Sequence, residues 1–435
     1  MRPFAIALSG ILVAGTVHAQ MLDRPGSSTI PLTADRFVPG KLMFSAEDER
    51  IYMERLKKGQ EGRRVTAADA YDPQELVPGT ANWTPLPAAQ ENERTISAAA
   101  LSKAQSYAAE NNSDSFIVWR KGKVETEAYF DGHGQKDSII SRSLAKPVTA
   151  AAVGRAIMLG KIKSLDQPVA DFVTDWRGDA RKSKILVRHL LDMRSGFLPQ
   201  ANAPDPTDIL NRAYLHPRHD EIIVKEYPVV DEPGSVYEYN NATSEMVAVL
   251  IERATGRRYA EFVGTEVWQK LGALGGTVWV NRVGGTAHSG CCMMVPAESF
   301  LRLGILVLQD GVWNGTRLLP EGYVKAMTTP TAENPHSGLG VYVAGRYIDR
   351  RGAANPKRLA GRTLHSEPYL AADLFLFDGN ANQVVYIVPS EQLVVLRTGN
   401  APPRADGKEW DNAFLPNTIL RGIVAAKGTS TPQPR

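Results

Sequence analysis

Cysteine is almost absent from this chain: two occur in 435 residues, and they are neighbours, Cys291-Cys292. Disulfide geometry asks for Cα atoms farther apart than one peptide unit allows. The pair is therefore expected to stay unbridged, leaving the fold to rest on its core. No C-x-x-C or H-x-E partner lies nearby, so the sequence gives no support for zinc ligation at these thiols. A charge of one sign is missing too. The 50 Lys and Arg nearly cancel the 47 Asp and Glu, leaving +3, and no basic tract is interleaved with aromatics, so nothing points to nucleic acid. No segment has the roughly 18 consecutive apolar residues that a membrane span requires. No serine sits in G-x-S-x-G, which excludes a nucleophile elbow. Phosphate-cradling glycine loops and internal repeats are also absent. His216-x-x-His219-Asp220 lacks the helical H-E-x-x-H pattern and encloses Pro217, so it reads as a loop rather than a metal site.

What is present is an ordinary globular composition, 43% apolar and 22% charged, with length enough for one large domain or two lobes. Met1-Arg-Pro, the apolar run Phe4 to Val17 and then Val17-His18-Ala19 read as a signal peptide cleaved after Ala19, which predicts a periplasmic or secreted protein. Residues 20–105 read as a Pro- and Gly-punctuated N-terminal extension with one charged helix, Ala46 to Arg64. A main domain is expected over 106–427, followed by a disordered polar tail, 428–435.

Inside that domain, Ser115 to Arg120, a Lys121-Gly122 turn and Lys123 to Phe130 predict a β-hairpin. Helices follow at Ala145 to Leu159, Val187 to Met193, Ala242 to Thr255 and Pro296 to Gln309. Strands return at Gly338 to Tyr347, Ala371 to Phe377, Gln383 to Val388 and Leu393 to Thr398, before a closing helix from Asn412 to Ala425. Strands early, helices in the middle and strands late predict an α/β fold. It would be an antiparallel sheet flanked by helices, with an all-helical lobe inserted at roughly 145–330.

The chemistry-bearing stretch is Ser143-Leu-Ala-Lys146, the single S-x-x-K in the chain. Side chains at i and i+3 share one helical face, so the lysine stem can fold back onto the serine oxygen, as an activated nucleophile needs. Pro147 is compatible with a first helical turn, where its missing N–H is not required. A second candidate, Tyr239-x-Asn241, follows the Pro233-Gly234 turn and opens a helix. A tyrosine hydroxyl near a lysine can pass a proton, and an asparagine amide can orient that lysine or a substrate carbonyl.

Ser143-x-x-Lys146, Val187-Arg-His-Leu-Leu-Asp-Met-Arg-Ser-Gly196, Pro233 to Asn241, and Leu339-Gly340 occur in the order seen in the class C β-lactamase-like serine hydrolases. The chain most resembles the 6-aminohexanoate-dimer (nylon-oligomer) hydrolase branch, which also contains esterases. The resemblance covers roughly 110–425 and implies a β-lactamase/transpeptidase-like fold. It makes Ser143 the nucleophile, Lys146 its base and Tyr239 the proton relay. The amides of Ser143 and Asn380 would form the oxyanion hole, with Asn241 beside the substrate. In β-lactamases a Lys-Thr-Gly segment completes the site. Here the matching block is Gly379-Asn-Ala-Asn-Gln383, with neither the Lys nor the second glycine of the branch's Gly-x-x-Gly-Gln pattern. The expected substrate is a small amide or ester cleaved through an acyl-enzyme, with no metal or organic cofactor. The alternatives are a weak β-lactamase, or a non-catalytic penicillin-binding-protein-like module that binds cell-wall fragments or a partner.

Overall fold

The computed structural model describes residues 38–60, 71–200, 203, 205–352, 355–356, 362–403 and 409–424. The expected signal peptide and polar tail lie outside these residues.

Apolar runs in the first hairpin and the late strands build one antiparallel sheet of six strands. In spatial order they are Lys123–Tyr129, Ser113–Arg120, Leu393–Gly399, Gln383–Val388, Phe375–Gly379 and Tyr342–Val343. Because successive side chains point to opposite faces, these runs bury both. Phe116, Val118, Tyr386 and Val395 pack with Leu101, Ala104 and Ala108 of the helix Ala98–Glu110 and with Leu415 and Ile419 of the closing helix Phe414–Arg421. On the other face Ile117, Val385, Ile387 and Val394 join Phe300 and Leu301 of the helix Ala297–Leu308. Burying each such aliphatic or aromatic side chain contributes about 1.5–3 kcal/mol, so the sheet is a rigid base for what its edges carry.

A second antiparallel sheet lies in the order Gln74–Val77, Gly276–Trp279, Met293–Pro296 and Ser138–Ile140. Its last strand runs straight into Ser143, and its first comes from the N-terminal extension. The expected charged helix is present over Ala46–Gln60. The stretch 145–330 is mainly helical, with Ala145–Met158, Val187–Leu191, Asn241–Thr255 and Ala297–Leu308 near their predicted places. It also supplies the two central strands of the second sheet.

Several expectations need correcting. The sulfurs of Cys291 and Cys292 are bonded to each other. One peptide unit separates their Cα atoms, and Cys292 adopts a left-handed backbone with φ 65° that brings both side chains to one side. The strand expected from Gly338 to Tyr347 shrinks to Tyr342–Val343. His216 caps the helix Ile209–Leu215 and His219 opens the helix His219–Lys225, so His216 to Arg218 form the expected loop, a short turn between two helices. No helix among the described residues is long and apolar enough to cross a membrane.

Candidate active site

Ser143 sits in a one-turn 3₁₀ segment, Arg142–Leu144, that feeds directly into the helix Ala145–Met158. Two strands hold this turn in place. Ser141 exchanges bonds with Met293, its amide donating to the Met293 carbonyl at 2.8 Å and its hydroxyl accepting from the Met293 amide at 3.0 Å. On the other side the end of the Phe375–Gly379 strand closes in: a Cβ added to Gly379 would lie 3.1 Å from the Leu144 nitrogen and 3.2 Å from the Ser141 carbonyl oxygen. A side chain there would push the sheet edge off the serine.

Lys146 is the second residue of its helix and only 5% exposed. Its Nζ lies 3.2 Å from Ser143 Oγ, and it donates to Asn241 Oδ1 at 3.1 Å and to the Gly290 carbonyl at 2.8 Å. Burial pulls its pKa down to about 7, opposed by the field of the Glu245 carboxylate. A neutral amine has two protons. The Asn241 and Gly290 oxygens take both, which leaves the nitrogen lone pair facing Ser143. Tyr239 completes the cluster: its hydroxyl and Ser143 Oγ share a hydrogen bond of 2.5 Å, and its ring lies under the lysine with Nζ 4.6 Å from the centroid. Burial raises its phenol above the ordinary tyrosine value, partly offset by the hydrogen bond to Ser143. The phenol therefore stays protonated at neutral pH.

The two asparagines of this block divide the work. Asn240 caps the helix Asn241–Thr255, its Oδ1 accepting from the Ala242 amide at 2.8 Å, which frees Asn241 to reach Lys146. The block Val187 to Gly196 acts through Arg194, which ties Asp192 and Glu333 to the Gly234 carbonyl, while the Glu238 amide donates to the Met193 carbonyl. Tyr239 is thereby fixed from the turn before it. Gly340 donates to the Leu191 carbonyl at 2.9 Å, and at φ 71° a Cβ there would meet the Lys146 carbonyl oxygen at 2.9 Å. Each sequence block thus touches the Ser143 turn or its support.

The structure places Asn380 in the turn at the sheet edge next to Gly379, exposed, with its Oδ1 accepting from the Ala381 amide at 2.8 Å. Ala381 and Asn382 there have φ of 70° and 57°. Two side chains hold this turn, Arg397, which sequence reasoning passed over, and Gln383, which it placed only as the end of the block. Arg397, fully buried, donates to the carbonyls of Ala381 and Asn382 at 2.6 and 3.1 Å and to those of Asn111, Asn112 and Asn400. Gln383 donates to the Ile140 carbonyl at 2.8 Å, linking the sheet edge to the strand before Ser143. A charged residue inside the apolar run Leu393 to Leu396-Arg397 was a visible signal for the first. The Gly290 carbonyl left none, since a backbone oxygen has no sequence signature.

A buried lysine and a half-buried tyrosine converge on one serine, at the edge of an antiparallel sheet backed by helices, on a fold of the β-lactamase kind. The Beta-lactamase family model matches residues 103–416, and the chain belongs to that family. It is similar to the 6-aminohexanoate-dimer hydrolase of Paenarthrobacter ureafaciens, 28% identical over 229 residues that make up 50% of this chain and 57% of the relative. The match therefore spans little more than half of that relative's length. A Bacillus anthracis protein assigned as a 6-aminohexanoate-dimer hydrolase shares the fold with a TM-score of 0.62 at 19% identity, over 82% of this chain and 92% of the other. EstCE1, a hydrolase with promiscuous acyltransferase activity, does so with a TM-score of 0.53 at 15% identity, over 75% and 98% of the two chains.

Proposed function

We propose that this protein is an exported serine hydrolase that cleaves a small amide or ester through an acyl-enzyme. The observation that carries the reading is Ser143 Oγ held between Lys146 Nζ at 3.2 Å and the Tyr239 hydroxyl at 2.5 Å. Neutral Lys146 removes the serine proton as Oγ attacks the carbonyl carbon. The oxyanion forms against the amides of Ser143 and Asn380. Tyr239, kept protonated by burial, passes its proton to the leaving amine or alcohol and is reprotonated by the Lys146 ammonium. Water then enters by the same route in reverse, giving up its proton to the pair and releasing the acid. The relatives named for amide hydrolysis and the esterase-like neighbour support this substrate class, and the apolar leader Phe4 to Val17 supports export.

A fluorophosphonate probe followed by intact-mass analysis tests the reading. The expected result is one adduct per chain, located on Ser143, with the Ser143→Ala protein unlabelled, inactive towards p-nitrophenyl esters and as stable as the parent. Labelling or turnover that survives Ser143→Ala would remove this serine from the mechanism.

A further inference from the structure

Close enough to Lys146 for Glu245 to act on its charge, three ionisable side chains meet that the reaction does not use. Glu245 lies one helical turn after Asn241, so it shares the face that supports the lysine. His219 comes from the first residue of the helix His219–Lys225, and His288 from the segment between the strands Gly276–Trp279 and Met293–Pro296. Their exposures are 0%, 1% and 0% for His219, Glu245 and His288. Glu245 Oε2 is 3.8 Å from His219 Nε2 and 3.7 Å from His288 Nδ1, and one donor atom from each of the three lies within 4.8 Å of the others. None of the six side-chain nitrogens and oxygens meets a well-formed hydrogen-bond partner among the described residues, and the Glu245 carboxylate feels only the nearby Ser289 and Gly290 amides.

We propose that His219, Glu245 and His288 form a structural binding site for a divalent transition-metal ion of the zinc type. Buried polar atoms are ordinarily paired, and a native interior leaves few orphans. Four imidazole nitrogens and a carboxylate in one spot call for an occupant that accepts lone pairs from all three side chains. Two imidazoles and a carboxylate are a zinc donor set, and they suit calcium or magnesium poorly, since those ions take oxygen ligands. Donors about 2.0–2.1 Å from one tetrahedral ion stand about 3.4 Å apart. The two Glu245 separations are therefore a few tenths of an ångström wide. His288 is fixed in a column of rings, stacked on Trp279 at 3.6 Å with His219 stacked on it at 4.3 Å. Closing the third edge is a turn of the His219 ring out of that stack.

The site would brace the reaction without joining it. A Cβ at Gly290 would lie 3.2 Å from Glu245 Oε1, and the Gly290 carbonyl accepts from Lys146 at 2.8 Å, so one glycine separates the ion from the lysine. The ligands stand far apart in sequence, which is why His216-x-x-His219 gave no metal pattern. The inference depends on the fold and not on the proposed hydrolytic activity.

The full-length chain, expressed in zinc-supplemented medium and dialysed, should carry about one zinc per chain by mass spectrometry of the digested protein. Glu245→Gln and His288→Gln should each lower bound zinc at least tenfold. Wild-type protein with less than about a tenth of an equivalent, or variants that keep their zinc, would overturn the proposal. Should the variants fail to fold, wild-type protein produced with cobalt decides the matter. Two hyperfine-shifted imidazole resonances with visible ligand-field bands support the site, and their absence overturns it.

Discussion

Replacing Asn241 with alanine separates a residue that merely opens a helix from one that sets the protonation of the base. The helix keeps its cap, because Asn240 supplies it, so the change falls on Lys146. Its Nζ loses one of three oxygen neighbours, the Asn241 Oδ1 at 3.1 Å. A hydrogen bond from a charged donor is worth roughly 1.5–3 kcal/mol. The neutral amine also donates to this oxygen, so about half of that value distinguishes the two protonation states. The difference corresponds to about half a pKa unit to one unit. The sign follows from which form the acceptor favours. It stabilises the ammonium more than the amine, so its loss lowers a pKa that burial already holds at about 7. The neutral base then appears at lower pH.

The ascending limb of kcat/KM against pH should therefore start near 7 in the parent enzyme and move down by about half a unit to one unit in Asn241→Ala. The plateau should fall about tenfold, since a weaker base with an unguided lone pair takes the serine proton less readily. Initial rates on a p-nitrophenyl ester from roughly pH 5 to 9 measure both quantities, with thermal unfolding of each protein as the control for folding. An unmoved limb together with an unchanged plateau would show that the Asn241–Lys146 contact has no bearing on the base. A limb moving upward would show that the assigned sign, and with it the lysine as the titrating group, is wrong.

Tyr239→Phe should lower kcat on an amide by about 10² to 10⁴, typical of a removed general acid; kcat equal to the parent's would make the tyrosine a packing residue. Arg397→Leu should destabilise the protein by at least about 3 kcal/mol, because it strands several buried carbonyls; a denaturant midpoint unchanged at equal m-value would contradict the buried network. Esters should be hydrolysed with a kcat/KM at least about one to two decades above that for a cephalosporin, the cost of losing a charge-assisted contact. Where β-lactamases have Lys-Thr-Gly, this chain places Asp378 before Gly379, and burial, countered by Arg351, holds that carboxyl up at about 6. A cephalosporin value equal to the best ester value would mean that this edge has been misread.

How much of this was legible beforehand depended on whether the signal was local. Ser143 and Lys146 are one helical turn apart, so periodicity alone puts them together, and their 3.2 Å contact follows. Gln383–Val388 appears with the bounds expected from its apolar run, because a strand buried on both faces ends where its turn residues begin. The strand expected from Gly338 was cut short because Leu339 and Gly340 are spent instead on Met327, Leu191 and the back of the Lys146 turn. That is a tertiary demand, invisible to a local pattern. The paired cysteines failed for a similar reason: spacing argued against a bridge, but the left-handed backbone at Cys292 is a property of the folded segment.

The site itself divides along the same line. The side chains that meet at Lys146 could be read, whereas the Gly290 carbonyl under it could not, and the turn at Asn380 was read without the Arg397 contacts that hold it. A family match over 103–416 gives the fold around Ser143, but it does not tell the shape of the turn at 380–382. Here Ala381 and Asn382 adopt positive φ without being glycine, a conformation that costs most residues energy and that persists only where the surroundings impose it. Arg397 provides that imposition by gripping both carbonyls from below. The turn that carries the proposed oxyanion amide is thus set by a buried guanidinium, and substrate preference at this edge should depend on residue 397 as much as on the turn it holds.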